Sequence, residues 1–281
     1  MNLSMTGTLA AAYHSGAQRA RVVTESWGES NLYCPNCSSP KLTWLEPGHP
    51  ASDYSCPKCE FKYQLKSQKS RLGESITDGA YAAMMNAIRH DEMPSLYFLH
   101  YDLATWSVKN LLLIPSFAFP PSAIIKRKPL SPSARRHGWV GCNFDLNRIP
   151  ADARIPIVIT RSSGRESAPS SLGEIREGQS RLTSAATIIV PPEEVRERFK
   201  RVKPLGEIKA KERGWTLDVL NGIRRLGKVE FSNGDAYTLA EHLEQLHPDN
   251  RHVRDKIRQQ LQVLRDAGLL IHVDRGIWRL P

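Results

Sequence analysis

Two Cys-x-x-Cys pairs, Cys34 with Cys37 and Cys56 with Cys59, constrain this chain more than any other feature. Thiolates carried on two tight turns meet at one point only if the chain between them doubles back, and tetrahedral zinc requires that meeting. Pro35, Asn36, Pro57 and Lys58 fill the two pairs with residues that favour turns. A closed site of four sulfurs has no open coordination position, so the zinc expected here is structural. Unrelated thiols or a redox pair are the alternative reading. The clustering of four of the five cysteines fits metal binding in a reducing compartment better than disulfides. Cys142 stands apart and reads as a small buried apolar residue.

The 281 residues, 40% hydrophobic and 24% charged, are enough for two domains with their own cores. A formal net charge of +10 points to a polyanionic partner, because Lys and Arg displace counterions from phosphates. Charge alone does not separate nucleic acid from an acidic membrane. No run of about 18 apolar residues could span a bilayer, and residues 1–21 lack the charged-then-apolar order of a signal peptide. The expectation is a cytoplasmic protein without a membrane partner.

Periodicity predicts a helix over residues 9–27 and another over 76–88, the latter with Tyr81, Met84, Met85 and Ile88 as a packing stripe. Residues 96–101, 111–114 and 155–159 are short apolar runs that read as buried strands, so the first part is expected to be an α/β domain. Residues 162–187 read as a long polar loop and 191–211 as a charged connector. Beyond it, Trp215, Val219, Leu220, Ile223 and Leu226 fit one helix, and Leu239, His242, Leu243 and Leu246 a second. Val253, Ile257, Leu261 and Leu264 fit a third, with Asp249 or Asn250 as its cap and Gly268 as its end. Residues 269–273 and 276–280 complete a small hairpin. Three helices and a hairpin make a mainly α winged helix-turn-helix. The expected limits are 1–195 for the first domain, 196–211 for a linker and 212–281 for the winged helix.

Residues 61–66 alternate, placing Phe61, Tyr63 and Leu65 on one face of a strand and Lys62, Gln64 and Lys66 on the other. Asp53 lies just before Cys56, so a metal knuckle would clamp an acid beside an amide and a lysine. An acid on one strand with Glu or Gln, any residue, then Lys on the next is similar to the PD-(D/E)XK nuclease arrangement. The same spacing also describes a solvated strand face.

Residues 33–37 (YCPNC), Asp53, 56–59 (CPKC), 65–67 (LKS), 78–82 (DGAYA), 127–130 (RKPL), 134–136 (ARR), Gly138 with Trp139, and 256–262 (KIRQQLQ) occur in one order. Together they resemble the DpnI-like methyl-directed (type IIM) restriction endonucleases over nearly the whole chain, failing mainly over 162–201. The resemblance implies a PD-(D/E)XK domain with structural Zn²⁺, then a winged helix. It implies Mg²⁺-dependent hydrolysis of phosphodiester bonds in double-stranded DNA at N6-methyladenine within GATC, as part of a restriction system. It places Asp53, Gln64 and the Leu65 backbone carbonyl around catalytic Mg²⁺, with Lys66 as the catalytic lysine. Gln64 departs from the family glutamate and removes one negative charge from a site that must attract a dication. Glu25, Glu60 or Glu74 are the acids that could replace it, with Glu25 otherwise an exposed helix charge.

No acidic residue occurs over 103–144, whereas Lys109, Lys126, Arg127, Lys128, Arg135 and Arg136 do, which reads as a basic arm for phosphates. Trp139 could meet methyl groups in the major groove or belong to a core. In the winged helix Asn250, Arg251, His252 and Arg254 are the expected base readers. Lys256 and Arg258 are expected phosphate contacts, and Arg275 a backbone or minor-groove contact. The leading expectation is a monomeric methyl-directed endonuclease. A catalytically silent methyl-adenine reader or regulator, and a zinc-ribbon transcription factor without nuclease ancestry, are the others.

Overall fold

The alternating residues after the second cysteine pair form the third strand of a sheet whose order decides what stands beside them. The structure is a computed structural model that describes residues 1–46, 52–161 and 186–281. The expected loop over 162–187 therefore lies almost wholly outside the described residues. In chain order the first elements are α1 (Gly16–Asn31), β1 (Thr43–Trp44), β2 (Tyr54–Ser55), β3 (Lys62–Gln68), β4 (Ser75–Ala80) and α2 (Tyr81–Arg89). Then come β5 (Ser95–Asp102), β6 (Ser107–Ile114), β7 (Ile124–Lys126), β8 (Gly141–Asp145), β9 (Ile155–Thr160), β10 (Thr187–Ile189) and α3 (Pro192–Val202). The last are α4 (Ala210–Arg225), β11 (Glu230–Ser232), α5 (Asn233–Tyr237), α6 (Ala240–Leu246), α7 (Val253–Asp266), β12 (Ile271–Asp274) and β13 (Ile277–Arg279).

These elements fall into two interleaved compact units. The first is Met1–Gly73 with Pro94–Ser116 and Asp152–Lys200, and the second is Glu74–Met93 with Phe117–Ala151 and Arg201–Pro281. The first unit holds one sheet in the order β1-β2-β3-β5-β6-β9-β10, in which β3 and β5 run parallel and the other neighbours antiparallel. Leu96, Tyr97, Phe98 and Leu99 are all fully buried, so β5 is a central strand covered on both faces, as its unbroken apolar run requires. In β3 only Tyr63 and Leu65 are buried, while Gln64 and Lys66 are half-exposed, the alternation expected of a strand with one open face.

Helix α1 lies along β3. Thr24 Oγ1 meets Ser67 Oγ at 3.1 Å, and the Trp27 indole donates to the Asn2 carbonyl at 2.7 Å. A Cβ at Gly28 would overlap the Tyr54 hydroxyl, so glycine is what lets β2 approach the helix. The helix is shorter and later than its periodicity predicts. Residues 7–12 form a separate 3-10 turn, and Ser15 (φ −73°, ψ 126°) starts α1 after a break. Leu9 and Tyr13 are exposed, so no packing compels the chain to stay helical across Ser15 and Gly16, which favour ends.

The second unit contains a sheet ordered β4-β8-β7 and another ordered β11-β13-β12. The expected helix over 76–88 is in fact β4 followed by α2. Ile76 and Thr77 pair with Phe144 and Asn143 of β8, and Tyr81 is the first helical residue. Two β-branched residues with a strand partner available far along the chain outweigh the local helical spacing.

The winged helix follows the sequence more closely. Val219, Leu220 and Ile223 of α4 are buried, as are Leu243 of α6 and Ile257, Leu261 and Leu264 of α7. Gly268 takes φ +72° after α7, the left-handed conformation that ends helices. A capping box at Ser232 and Asp235 opens α5, and β11 adds a third strand to the expected hairpin. Asn250 does not cap α7 directly. Its side-chain oxygen accepts from the His252 amide at 2.8 Å, in the turn before the helix. The expected connector over 191–211 is also structured: α3 and a 3-10 turn occupy it, with Val195, Phe199, Val202 and Leu205 buried.

Candidate metal centre, acidic site and nucleic-acid surfaces

The four cysteine sulfurs lie within 4.8 Å of one another. Cys34 Sγ is 3.6 Å from Cys59 Sγ, and Cys37 Sγ is 3.5 Å from Cys56 Sγ. Four sulfurs about 2.3 Å from one zinc stand about 3.8 Å apart, so the cluster has the dimensions of a tetrahedral site. The amides of Ser39 and Lys58 each point at the cysteine two residues earlier, at 3.4 Å, and the Asn36 amide reaches Cys59 Sγ at 3.5 Å. Such donors stabilise thiolate, the form that binds metal. Burial pushes the Cys34 thiol up. At Cys56 burial acts the same way, but the amides of Lys58 and Cys59 and the neighbouring thiols outweigh it and bring the group down to about 6. The cluster can hold a zinc ion, and its residues are those the spacing singles out.

The second knuckle is also the turn of the β2–β3 hairpin. The Cys56 amide donates to Phe61 O and the Glu60 amide to Cys56 O, both at 2.9 Å. From that turn the strands run antiparallel with Tyr54 opposite Tyr63, and the Asp53 amide donates to Tyr63 O at 2.9 Å. Asp53 thereby comes level with Gln64, and its Oδ2 accepts from the Leu65 amide at 2.8 Å. Buried Tyr63 links the two places, because its hydroxyl lies 3.1 Å from Cys34 Sγ while its backbone holds Asp53.

Burial holds the Asp53 carboxyl above the usual aspartate range. The Leu65 amide opposes this, Glu25 adds to it, and Lys66 and Arg21 pull the other way. Glu25 is thus the acid whose charge acts on Asp53. Its side chain is 21% exposed, forms an ion pair with Arg21 at 2.8 Å, and its backbone carbonyl accepts from the Tyr54 hydroxyl at 2.8 Å. The sequence names Glu25 with Glu60 and Glu74 as acids that could supply a carboxylate here, and otherwise as an exposed helix charge. What it lacked was the register of α1 on β2, which Gly28 permits. Glu60 and Glu74 are exposed. Among the described residues the cysteine cluster is the group of three or more His, Cys, Asp and Glu side chains close enough to share an ion.

The other predicted contacts belong to the second unit, except Lys109, which lies on β6 in the first. Arg127 pairs through its amide with Gly141 O at 2.9 Å, and Leu130 with Trp139 O at 2.9 Å, so the basic arm is a hairpin extending β7 and β8. Arg127, Lys128, Arg135 and Arg136 are exposed on it. Trp139 is half-buried, with its ring against Gly141, where a Cβ would stand 2.8 Å from the ring edge. In the winged helix Arg251, His252, Arg254 and Arg258 are exposed at and after the start of α7. Arg254 lies over the Tyr237 ring at 5.9 Å, and Lys256 donates to Gln259 at 2.8 Å. Arg275 is exposed at the β12–β13 turn. Among the described residues no helix is long and apolar enough to cross a membrane.

A mixed α/β unit with a zinc-compatible cysteine cluster, followed by a helix-turn-helix with an exposed cationic face, defines a class of protein that acts on DNA. The pattern of the Dam-replacing family matches residues 1–168, and that of the Dam-replacing HTH domain matches residues 211–280. The chain belongs to this family, the DpnI-like methyl-directed endonucleases with a C-terminal helix-turn-helix.

Proposed function

We propose that the chain hydrolyses phosphodiester bonds in double-stranded DNA at N6-methylated adenine within GATC, in a Mg²⁺-dependent reaction on a PD-(D/E)XK scaffold. The observation that carries this reading is the Asp53 carboxylate, anchored on the Leu65 amide at 2.8 Å beside the strand that bears Gln64 and Lys66. Asp53, the Gln64 amide oxygen and the Leu65 carbonyl are hard oxygen donors of the kind magnesium takes. A carboxyl pushed up by burial and by a neighbouring Glu25 is in the electrostatic situation that a dication relieves. The donor set therefore fits the ion.

Bound there, the ion would polarise a phosphoryl oxygen and make a water more acidic. The remaining work falls to side chains. Lys66 Nζ orients the attacking water by donating to it and adds positive charge beside the phosphate. Glu25 and Arg21 set the charge around Asp53. The basic hairpin engages phosphates, Trp139 offers its ring to the adenine methyl, and the start of α7 reads base edges. The domain limits 1–195, 196–211 and 212–281, and a monomeric enzyme, belong to the same reading.

The test uses purified protein, Mg²⁺, and plasmid grown in adenine-methylating or non-methylating hosts. Cutting confined to methylated plasmid is the expected result, and Lys66→Ala should lower its rate on the order of 10²–10⁴-fold. Gln64 favours one second reading, a methyl-adenine reader that binds without cutting. Methyl-dependent retention with no cleavage, unchanged in Lys66→Ala, is its outcome. Methyl-blind binding would refute both.

A further inference from the structure

Helix α3 lies outside both family matches, and its sequence, PEEVRERFKRV, has the charge of a solvated connector. Two of its residues nevertheless face the cysteine-rich segment. Phe199 is buried and meets the Phe61 ring edge-on at 5.9 Å. Arg196, three positions earlier and so on the same face, is half-buried. Its Nε donates to the carbonyls of Cys34 at 3.2 Å and Cys37 at 2.9 Å, and a terminal nitrogen donates to Ser39 O at 3.3 Å. The guanidinium also sits 5.3 Å from the centre of the Tyr33 ring.

One planar fork thus holds three carbonyls of the first cysteine turn, which a lysine ammonium on a flexible stem does not reproduce. Carbonyls held on one side fix the turn whose amides face the sulfurs on the other, as Ser39 N does toward Cys37 Sγ. Four thiolates around one divalent zinc also carry a net negative charge, which a nearby cation offsets.

We propose that Arg196 is the positioning residue of the zinc knuckle, docking α3 on the first cysteine turn so that metal loading and docking of this helix form one coupled equilibrium. Coupling of this kind is reciprocal: the factor by which zinc tightens the docking of α3 is the factor by which docked α3 tightens zinc. Partners in the shell around metal ligands are typically worth about ten- to a hundredfold in metal affinity.

The experiment follows zinc transfer from the full-length, zinc-loaded protein to a chromophoric chelator, with hydrogen exchange of α3 measured before and after metal removal. Arg196→Ala should release zinc about ten- to a hundredfold faster than the parent. Arg196→Lys, which keeps the cation but loses the fork, should also release zinc faster than the parent, and Glu197→Ala, at an exposed neighbour, should release it at the parent rate. Protection of α3 should fall when zinc leaves the parent and be low already in loaded Arg196→Ala. Should Arg196→Ala fail to fold by circular dichroism, Arg196→Lys, which keeps charge and length, carries the test. Release at the parent rate from the folded variant, α3 protection indifferent to zinc, or failure of the parent to take up zinc would each overturn the proposal. DNA cleavage is not among the readouts, so a failure of the nuclease reading leaves this one standing.

Discussion

Asp53, just before β2, stands level with Gln64 of β3, the position at which the resemblance expects a glutamate. An amide oxygen can ligate magnesium without contributing charge, so Gln64→Glu should lower the magnesium concentration needed for half-maximal cleavage. It should also raise the rate about tenfold, equivalent to roughly 1.4 kcal/mol of barrier. A magnesium titration of plasmid cutting reads both, and an unchanged or slower rate would show that Gln64 is not a ligand. Asp53 supplies the pH dependence. Its carboxyl is raised by burial, with Glu25 adding to the effect, so the folded chain holds that proton more tightly than the unfolded chain does. The resulting stability is fully present below the ordinary aspartate range and is lost as pH rises through the raised value. Asp53→Asn should therefore raise the melting temperature of metal-free protein at neutral pH while abolishing cleavage. The gain should shrink toward zero below about pH 4, where the parent is protonated too. Thermal melts across pH without divalent ions check the sign, and a destabilised Asp53→Asn at neutral pH contradicts it.

The element that joins metal to acid is the β2–β3 hairpin, whose turn holds Cys56 and Cys59 and whose arms hold Asp53 and Lys66. If zinc pins that turn, chelation should loosen the register of Asp53 against Gln64 and Leu65. Amides of β3 should lose exchange protection, and cutting should fall, before the helices of the second unit melt. Concurrent loss of all three signals on chelation would mean that zinc supports the fold at large and not this hairpin. The elements also explain which parts of the fold the sequence could disclose. Knuckles and strand alternation over 61–66 are local patterns, and so is the stripe of Val253, Ile257, Leu261 and Leu264 in α7. β4 was not legible, because the helical spacing of the adjoining 81–88 stripe is local whereas the partner of β4, β8, lies more than sixty residues away. For the same reason Glu25 could be named only as one of three candidate acids, and Arg196 not at all. Their roles depend on which face of a helix meets a strand or turn brought up from elsewhere, and their own neighbours in sequence are ordinary charged residues.

At the scale of the molecule the net charge is +10, and the basic hairpin and the start of α7 carry exposed cations. Arg135→Ala and Arg136→Ala on the basic hairpin should each weaken binding of any DNA duplex. Each should reduce the salt slope by about one where its arginine holds a phosphate. Binding measured across a salt series decides this, since a variant with the parent's slope makes no phosphate contact. The way the chain is apportioned between units has a sharper consequence. Residues 74–93 and 117–151 precede the winged helix by many residues yet share its unit. Inside that unit Arg213, 6% exposed, donates to both oxygens of Asp91 at 2.7 and 2.9 Å. Asp218, 1% exposed, is bracketed by the Ser122 hydroxyl at 2.5 Å and His247 Nε2 at 2.8 Å, and His247 in turn stacks on Trp215. Asn221 and Arg225 both donate to Asn147 O, at 2.8 and 2.6 Å. A fragment beginning at residue 212 keeps Arg213 and Asp218 but leaves out Asp91, Ser122 and Asn147. Each buried polar group left without its partner costs about 1–3 kcal/mol, a large share of what a small domain has. The fragment should therefore melt well below the intact chain, and one that also contains residues 74–151 should recover the loss. Within the intact protein, Asp218→Ala should lower stability by about 1–3 kcal/mol. Denaturant unfolding of the two fragments and the variant tests the argument, and a fragment 212–281 as stable as the intact winged helix would refute it.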